Sequence, residues 1–257
     1  MSPAKTTSNF PGVIIGFAVL FFLYHLPEFL QHYLNKPLLW LLELGMLLFV
    51  IIAYYIGLKQ KGSGLAVFGL FKFKQYYGNL LIGLGTGILL VALSNCITIC
   101  LGWNKIEINI SFSQVILNTI IFAVGTLLPS LAEDILTRGY LFAHWPRSVN
   151  KNLLVACSAL VFSLNHIFRL SRPDVMLYIF LLGIILMLCL VYTNSLWLTF
   201  GIHWGTNIAY QFFNNVLTMR TIKDTGYDNY ILALTYLIGI ALIIWLLKSG
   251  LVKRSPF

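Results

Sequence analysis

Residues 175–193 read VMLYIFLLGIILMLCLVYT, a run without a single charged side chain. An α-helix needs about 20 mainly apolar residues to cross the hydrocarbon core of a bilayer. This run therefore predicts a membrane-spanning helix, and it predicts a membrane protein for the chain that contains it.

Further apolar runs lie on both sides of this one. Together they predict an all-α fold, a polytopic transmembrane helical bundle of about eight spans. The runs begin near Phe10, Leu38, Asn79, Gln114, Leu153, Val175, Leu196 and Tyr230. The composition agrees, because only 10% of the residues are charged, whereas a soluble domain has about 25%.

The net charge of +9 comes from basic residues that lie mostly between the apolar runs. With eight spans, one side of the membrane holds Lys5, Lys59, Lys61, Lys72, Lys74, Arg147, Lys151, Lys248, Lys253 and Arg254, and the other holds Lys36, Lys105, Arg169, Arg172, Arg220 and Lys223. The excess on the first side predicts an integral protein of the plasma membrane with both termini in the cytoplasm. Membrane lipid is an expected partner. Nucleic acid is not, since no basic patch is interleaved with exposed aromatic residues.

A group of polar residues interrupts the fourth run, where residues 132–140 read AEDILTRGY. Neighbours on a helix lie about 100° apart, so Glu133 and Asp134 cannot face the same partner. Asp134 and Arg138 share a face and can pair, which leaves Glu133 free. Pro129 is expected to kink or restart the helix. Taken alone, this segment is also compatible with an ion pair at a helix end near the membrane surface.

Two histidines interrupt later runs. His166 ends the stretch FSLNH, and taken alone it is compatible with a hydrogen bond to a helix carbonyl. His203 and Asn207 are four residues apart and project from one helix face. Gly201 and Gly205 form a GxxxG pattern that lets a neighbouring helix approach closely, so this stretch is also compatible with packing alone.

Together, these polar residues indicate chemistry, because ionisable groups inside a membrane are costly and are commonly functional. One carboxylate and two imidazoles on three helices can hold and deprotonate a water. Asn207 can donate a hydrogen bond to a developing oxyanion. The predicted catalytic residues are Glu133, His166, His203 and Asn207, with Asp134 and Arg138 as their structural support.

Three further ionisable residues, His25, Glu28 and His32, lie near the end of the first run. Their position predicts contact with the membrane interface.

The ordered motifs resemble those of the CAAX-protease and bacteriocin-processing (CPBP) family of intramembrane proteases, which includes the type II CAAX prenyl endopeptidases. That family has EExxxR, then FxxxH, then HxxxN. The matching residues are Glu133-Asp134 with Arg138, Phe162 with His166, and His203 with Asn207. The resemblance covers about residues 110–215. Asp134 departs from it, standing where the common pattern has Glu.

The resemblance implies an intramembrane endopeptidase in which Glu133 activates water with the help of His166, while His203 and Asn207 stabilise the oxyanion. The implied substrate is a membrane-tethered or lipidated peptide, either prenylated or of the leader type. The expected organisation is generic transmembrane spans in 1–110, a catalytic core in 111–215, and a last span and tail in 216–257.

The cofactor and two other functions are left open. Glu133, His166 and His203 can ligate a divalent metal such as zinc, although the HExxH signature of zinc proteases is absent. The Asp134 departure leaves room for a catalytically silent membrane scaffold. A proton-coupled transporter, in which the same three residues relay protons, is the other alternative.

Overall fold

In the computed structural model of the chain, residues 10–34 and 39–256 are described. The helices are α1 (Phe10–Leu34), α2 (Leu39–Lys61), α3 (Phe73–Cys100), α4 (Phe112–Asp134), α5 (Tyr140–His144), α6 (Lys151–Asn165), α7 (Pro173–Thr193), α8 (Leu196–Gln211) and α9 (Asp228–Lys248). A helix begins at or shortly before each predicted start, except that Leu38 lies outside the described residues. The predicted polytopic helical bundle is therefore confirmed.

Six of the described helical segments are long and apolar enough to cross a membrane. They are 10–34, 40–61, 73–100, 112–144, 173–193 and 228–248. The remaining two predicted spans, α6 and α8, have 15 and 16 residues. At about 1.5 Å per residue these two helices are shorter than a hydrocarbon core of about 30 Å. Many large apolar side chains on the outer helices are exposed, which is the surface that lipid requires.

A two-stranded antiparallel ribbon joins two connections at one end of the bundle. Strand β1 (Asn104–Glu107) pairs with strand β2 (Thr218–Thr221), with Asn104 opposite Thr221. The Asn104 side chain also donates a hydrogen bond to Asp228 at the start of α9, over 2.7 Å. The ribbon therefore ties the α3–α4 connection to the α8–α9 connection.

Of the two expectations for Pro129, a kink or a restart of the helix, the restart is wrong. Helix α4 passes through Pro129 and continues to Asp134. The departure from α-helical geometry comes later, in a π-helical turn over Ile135–Gly139 that leads directly into α5. Such turns are frequent at functional sites. Because the whole segment has 33 residues, Glu133 lies inside the bundle although it is far from the start of the helix.

The core consists of two apolar clusters. One is built mainly from α3, α7, α8 and α9, and the other from α1, α2, α4 and α5 together with parts of α6 and α7. Phe162 on α6 belongs to the first cluster, and Ala132 and Ile135 belong to the second. The predicted catalytic residues therefore lie where the two clusters meet.

Helices α3 and α8 run in parallel with their backbones almost in contact. The Cα atoms of Gly83 and Gly201 face each other, and a Cβ added to either glycine would collide with the opposite backbone. One turn further on, a Cβ added to Gly87 would collide with the backbone of α8, and a Cβ added to Gly205 would collide with the backbone of α3. The predicted close approach at Gly201 and Gly205 is confirmed, and it fixes the helix that carries His203 and Asn207.

We expect Gly87→Leu to destabilise the protein by about 1–3 kcal/mol, because the added side chain forces apart two backbones that have no space between them. Unfolding of the purified protein in detergent measures this difference. Gly85→Leu is the matched control, since a Cβ at Gly85 meets no atom within 4 Å. Equal stability of the two variants would contradict the close-packing argument.

Candidate active site

The two adjacent acids of α4 have different partners. Arg138 Nη1 donates to Asp134 Oδ1 over 2.5 Å, and both side chains are fully buried. Nη1 also contacts the Thr137 hydroxyl, and the guanidinium lies 4.1 Å from the centre of the Phe162 ring. The predicted Asp134–Arg138 pair is therefore present, and the shorter aspartate side chain reaches its partner.

His203 on α8 lies between the two acids. Its Nδ1 is 3.0 Å from Asp134 Oδ1, and its Nε2 is 3.5 Å from Glu133 Oε2. A carboxylate that is paired with arginine can only accept, so Nδ1 carries the proton and donates to Asp134. Nε2 therefore faces Glu133 with its lone pair, or with a second proton when the imidazole is charged.

His166 lies just beyond the end of α6 and faces the same carboxylate. Its Nδ1 is 2.9 Å from the carbonyl of Phe162 and 3.9 Å from Glu133 Oε1. Since a carbonyl can only accept, Nδ1 carries the proton here as well, which leaves Nε2 unprotonated in the neutral ring. The predicted hydrogen bond from this histidine to a helix carbonyl is present together with its approach to Glu133.

Asn207 lies on the face of α8 that the sequence predicts, near His203. Its amide donates to the hydroxyl of Ser130 on α4 over 2.8 Å. One cavity of about 220 Å³ is lined by Asn207, both histidines and Glu133. The structure thus brings together all four predicted catalytic residues.

Two residues that the sequence analysis did not assign to the site, Asn165 and behind it His25, hold the Glu133 carboxylate. Asn165 Nδ2 donates to Glu133 Oε1 over 2.8 Å. Asn165 Oδ1 is 3.0 Å from His25 Nε2, so the imidazole donates to the amide oxygen. His25 is only 1% exposed, and the prediction that it contacts the interface is wrong. The FSLNH stretch contained the asparagine, but nothing in the sequence linked it to α1.

A second cavity reaches Glu133 from the side of α1 and α2. It has a volume of about 450 Å³ and includes the polar side chains of Glu28, Gln31 and Arg169. Tyr24 lines it as well and interacts with the Glu133 carboxylate. The Glu133 side chain, 8% exposed, therefore lies where two cavities meet.

Each of the two histidines keeps one ring nitrogen that could ligate a metal. Nδ1 of His203 donates to Asp134 and Nδ1 of His166 donates to the Phe162 carbonyl, so Nε2 is the free nitrogen of each neutral ring. Among residues 10–34 and 39–256, no group of three or more His, Cys, Asp and Glu side chains is placed to hold a metal ion. The predicted ligands Glu133, His166 and His203 therefore gain no support as a metal centre.

We expect Arg138→Met to lower the free energy of unfolding by about 3–5 kcal/mol, because it leaves Asp134 buried without its cation. The matched control is Arg172→Met, which removes a 2.8 Å ion pair to Asp174 from an arginine that is 61% exposed. That change should have a much smaller effect, because solvent screens an exposed pair. Unfolding in detergent compares the two variants, and equal losses would mean that burial does not decide the strength of the pair.

The comparisons with known proteins agree with the motifs. Residues 115–209 match a family model described as type II CAAX prenyl endopeptidase Rce1-like, and the match includes all the motif residues from Glu133 to Asn207. No curated protein and no solved structure matches the chain. The family is one of proteases, so the comparison supports a hydrolase, and six apolar segments support an integral membrane protein. The family match gives no support to a metalloendopeptidase. Over residues 115–209, the predicted resemblance to the type II CAAX prenyl endopeptidases is confirmed.

Proposed function

We propose that this protein is an intramembrane endopeptidase that hydrolyses a peptide bond of a membrane-associated substrate through a water activated by Glu133. The observation that carries the proposal is the placement of this carboxylate. Asn165 orients one of its oxygens, His203 faces the other, and two cavities meet at it. A positioned carboxylate of this kind is suited to act as a general base.

The reaction begins with a water between Glu133 and His166. Glu133 takes a proton from the water while the water oxygen attacks the carbonyl carbon of the peptide. The electrons of the carbonyl double bond move to the carbonyl oxygen, which becomes the oxyanion. When the tetrahedral intermediate collapses, the carbon–nitrogen bond breaks and the proton passes from Glu133 to the leaving amine. General-base assistance of this type contributes about 10²–10⁴-fold to a rate.

The oxyanion requires hydrogen-bond donors that are already in place. Asn207 uses one amide proton for Ser130, and its second proton is available to the substrate. His203 can donate from Nε2 when its imidazole is charged. These two residues would stabilise the oxyanion, and the Asp134–Arg138 pair would hold the His203 ring in position.

The walls of the cavities suggest where the substrate lies. The cavity between α6, α7, α8 and α9 has apolar and aromatic walls that include Tyr178, Ile179, Leu182 and Tyr236. These walls suit an apolar peptide segment or a lipid chain attached to it. The polar cavity beside Glu28 and Gln31 suits the entry of water. The proposed substrate is therefore a membrane-tethered or lipidated peptide, with prenylated and leader-type peptides as the two forms to compare.

We expect Glu133→Gln to reduce kcat by about 10²–10⁴-fold, because the amide cannot take the proton of the water. Cleavage of a panel of prenylated, unprenylated and leader-type peptides by detergent-purified protein measures the effect. The matched control is Glu43→Gln, which changes an intramembrane glutamate of α2 that lines neither cavity.

Addition of a metal chelator to the wild-type assay provides a separate readout. The proposal expects no loss of cleavage. Cleavage that persists in Glu133→Gln would rule out this residue as the base. If well-folded wild-type protein cleaves no peptide of the panel, the result favours a silent scaffold or a transporter instead.

Asn165 and His25 are proposed as positioning residues of Glu133. A hydrogen bond to a charged group contributes about 1.5–3 kcal/mol, so we expect Asn165→Ala to lower kcat about ten-fold or more with little change in KM. His25→Phe should act in the same direction, while His25→Gln should restore activity because its amide can donate to Asn165. A rise in KM at unchanged kcat would instead place these residues in substrate binding.

A further inference from the structure

The largest of the cavities described here, about 590 Å³, lies at the end of the bundle away from the candidate active site. It lies between the end of α2, the connection from α5 to α6, and the end of α7. Three basic residues line it: Lys61, Arg147 and Lys151. Its apolar lining residues include Phe142, Leu154 and Val191.

The described residues of the protein do not neutralise the positive charge of this cavity. No acidic residue lines the cavity, and none of its three basic side chains forms an ion pair with another described residue. Trp145 is another lining residue. An anionic group bound in the cavity would compensate the three charges.

The depth of the cavity identifies the kind of anion. Helices α2, α5 and α7 end here, and α6 begins here, so the cavity lies at the level where the bundle leaves the hydrocarbon core. Tryptophan is enriched at this level of a membrane. Basic pockets between transmembrane helices at this depth bind phosphorylated lipid headgroups. The apolar walls provide a surface for the first carbons of acyl chains.

We propose that this cavity binds the phosphate headgroup of an anionic phospholipid. The phosphate oxygens accept from Lys61, Arg147 and Lys151. The bound lipid would hold the connection between α5 and α6, and through it the helices that carry Glu133 and His166. This inference does not depend on the proposed function, because binding and stability report it without any cleavage assay.

The test uses the delipidated full chain in detergent. Phosphatidylglycerol, phosphatidylcholine with the same acyl chains, or inorganic phosphate is titrated while Tm is recorded, and native mass spectrometry counts the lipids that stay bound. The cavity variant is Lys61→Gln, Arg147→Gln and Lys151→Gln together. The control variant, Lys59→Gln, Lys74→Gln and Lys248→Gln, removes the same charge at the same end of the bundle from residues outside the cavity lining.

Phosphatidylglycerol should raise Tm saturably in the wild type, with one lipid retained per chain. Its half-saturating concentration should rise about ten-fold or more in the cavity variant and stay unchanged in the control. If the triple variant does not fold, Arg147→Gln alone serves instead, since it removes one charged donor from an exposed connection and should weaken binding. Equal responses of the two triple variants, or of the two lipids, would overturn the site. Inorganic phosphate that matches the lipid at equal concentration would show that a free anion is the ligand.

Discussion

The ion pair between Asp134 and Arg138 is buried in a protein whose surroundings are themselves a bilayer, so water can solvate neither group. Removing such ions from water costs several kcal/mol for each, and the protein must compensate the cost with close contacts. Part of this compensation comes from three helices: the pair itself spans α4 and the π-helical turn, Phe162 of α6 covers the guanidinium, and His203 of α8 donates to the carboxylate. The same contacts determine the relative positions of the helices that form the candidate active site.

This constraint explains why two adjacent acids can have separate tasks. The arginine neutralises Asp134, which in turn holds one nitrogen of His203. Glu133 points away from the arginine and contacts amide and imidazole groups instead. The shorter aspartate reaches both of its partners, so this departure from the family motif leaves the supporting contacts of the site intact. A silent scaffold would therefore have to lose activity for some other reason.

The sequence predicts those parts of the structure that depend on local spacing. Apolar runs predict the helices, and residues four apart predict the Asp134–Arg138 pair and the shared face of His203 and Asn207. Other contacts depend on how distant segments pack, and local spacing does not contain them. Asn165 contacts His25, 140 residues away, and this pairing becomes evident only when α1 packs against α6. Pro129 predicts a kink or a restart of the helix, but the helix does not restart there because an apolar environment offers the backbone no alternative partners.

Helix α6 extends from the candidate active site to the basic cavity at the other end of the bundle. At 15 residues it extends for about 22 Å, so it cannot cross the core, and it ends at Asn165 inside the protein. Irregular backbone at membrane depth is tolerated only where protein or a water-filled cavity surrounds it, and here the end of the helix lines the cavities beside Glu133. Its other end begins at Lys151, beside the basic cavity. Between its two ends α6 packs closely on α7, where a Cβ added at Gly183 would collide with Ala159. The position of His166 relative to Glu133 therefore depends on this packing as well as on the contacts at the two ends of α6.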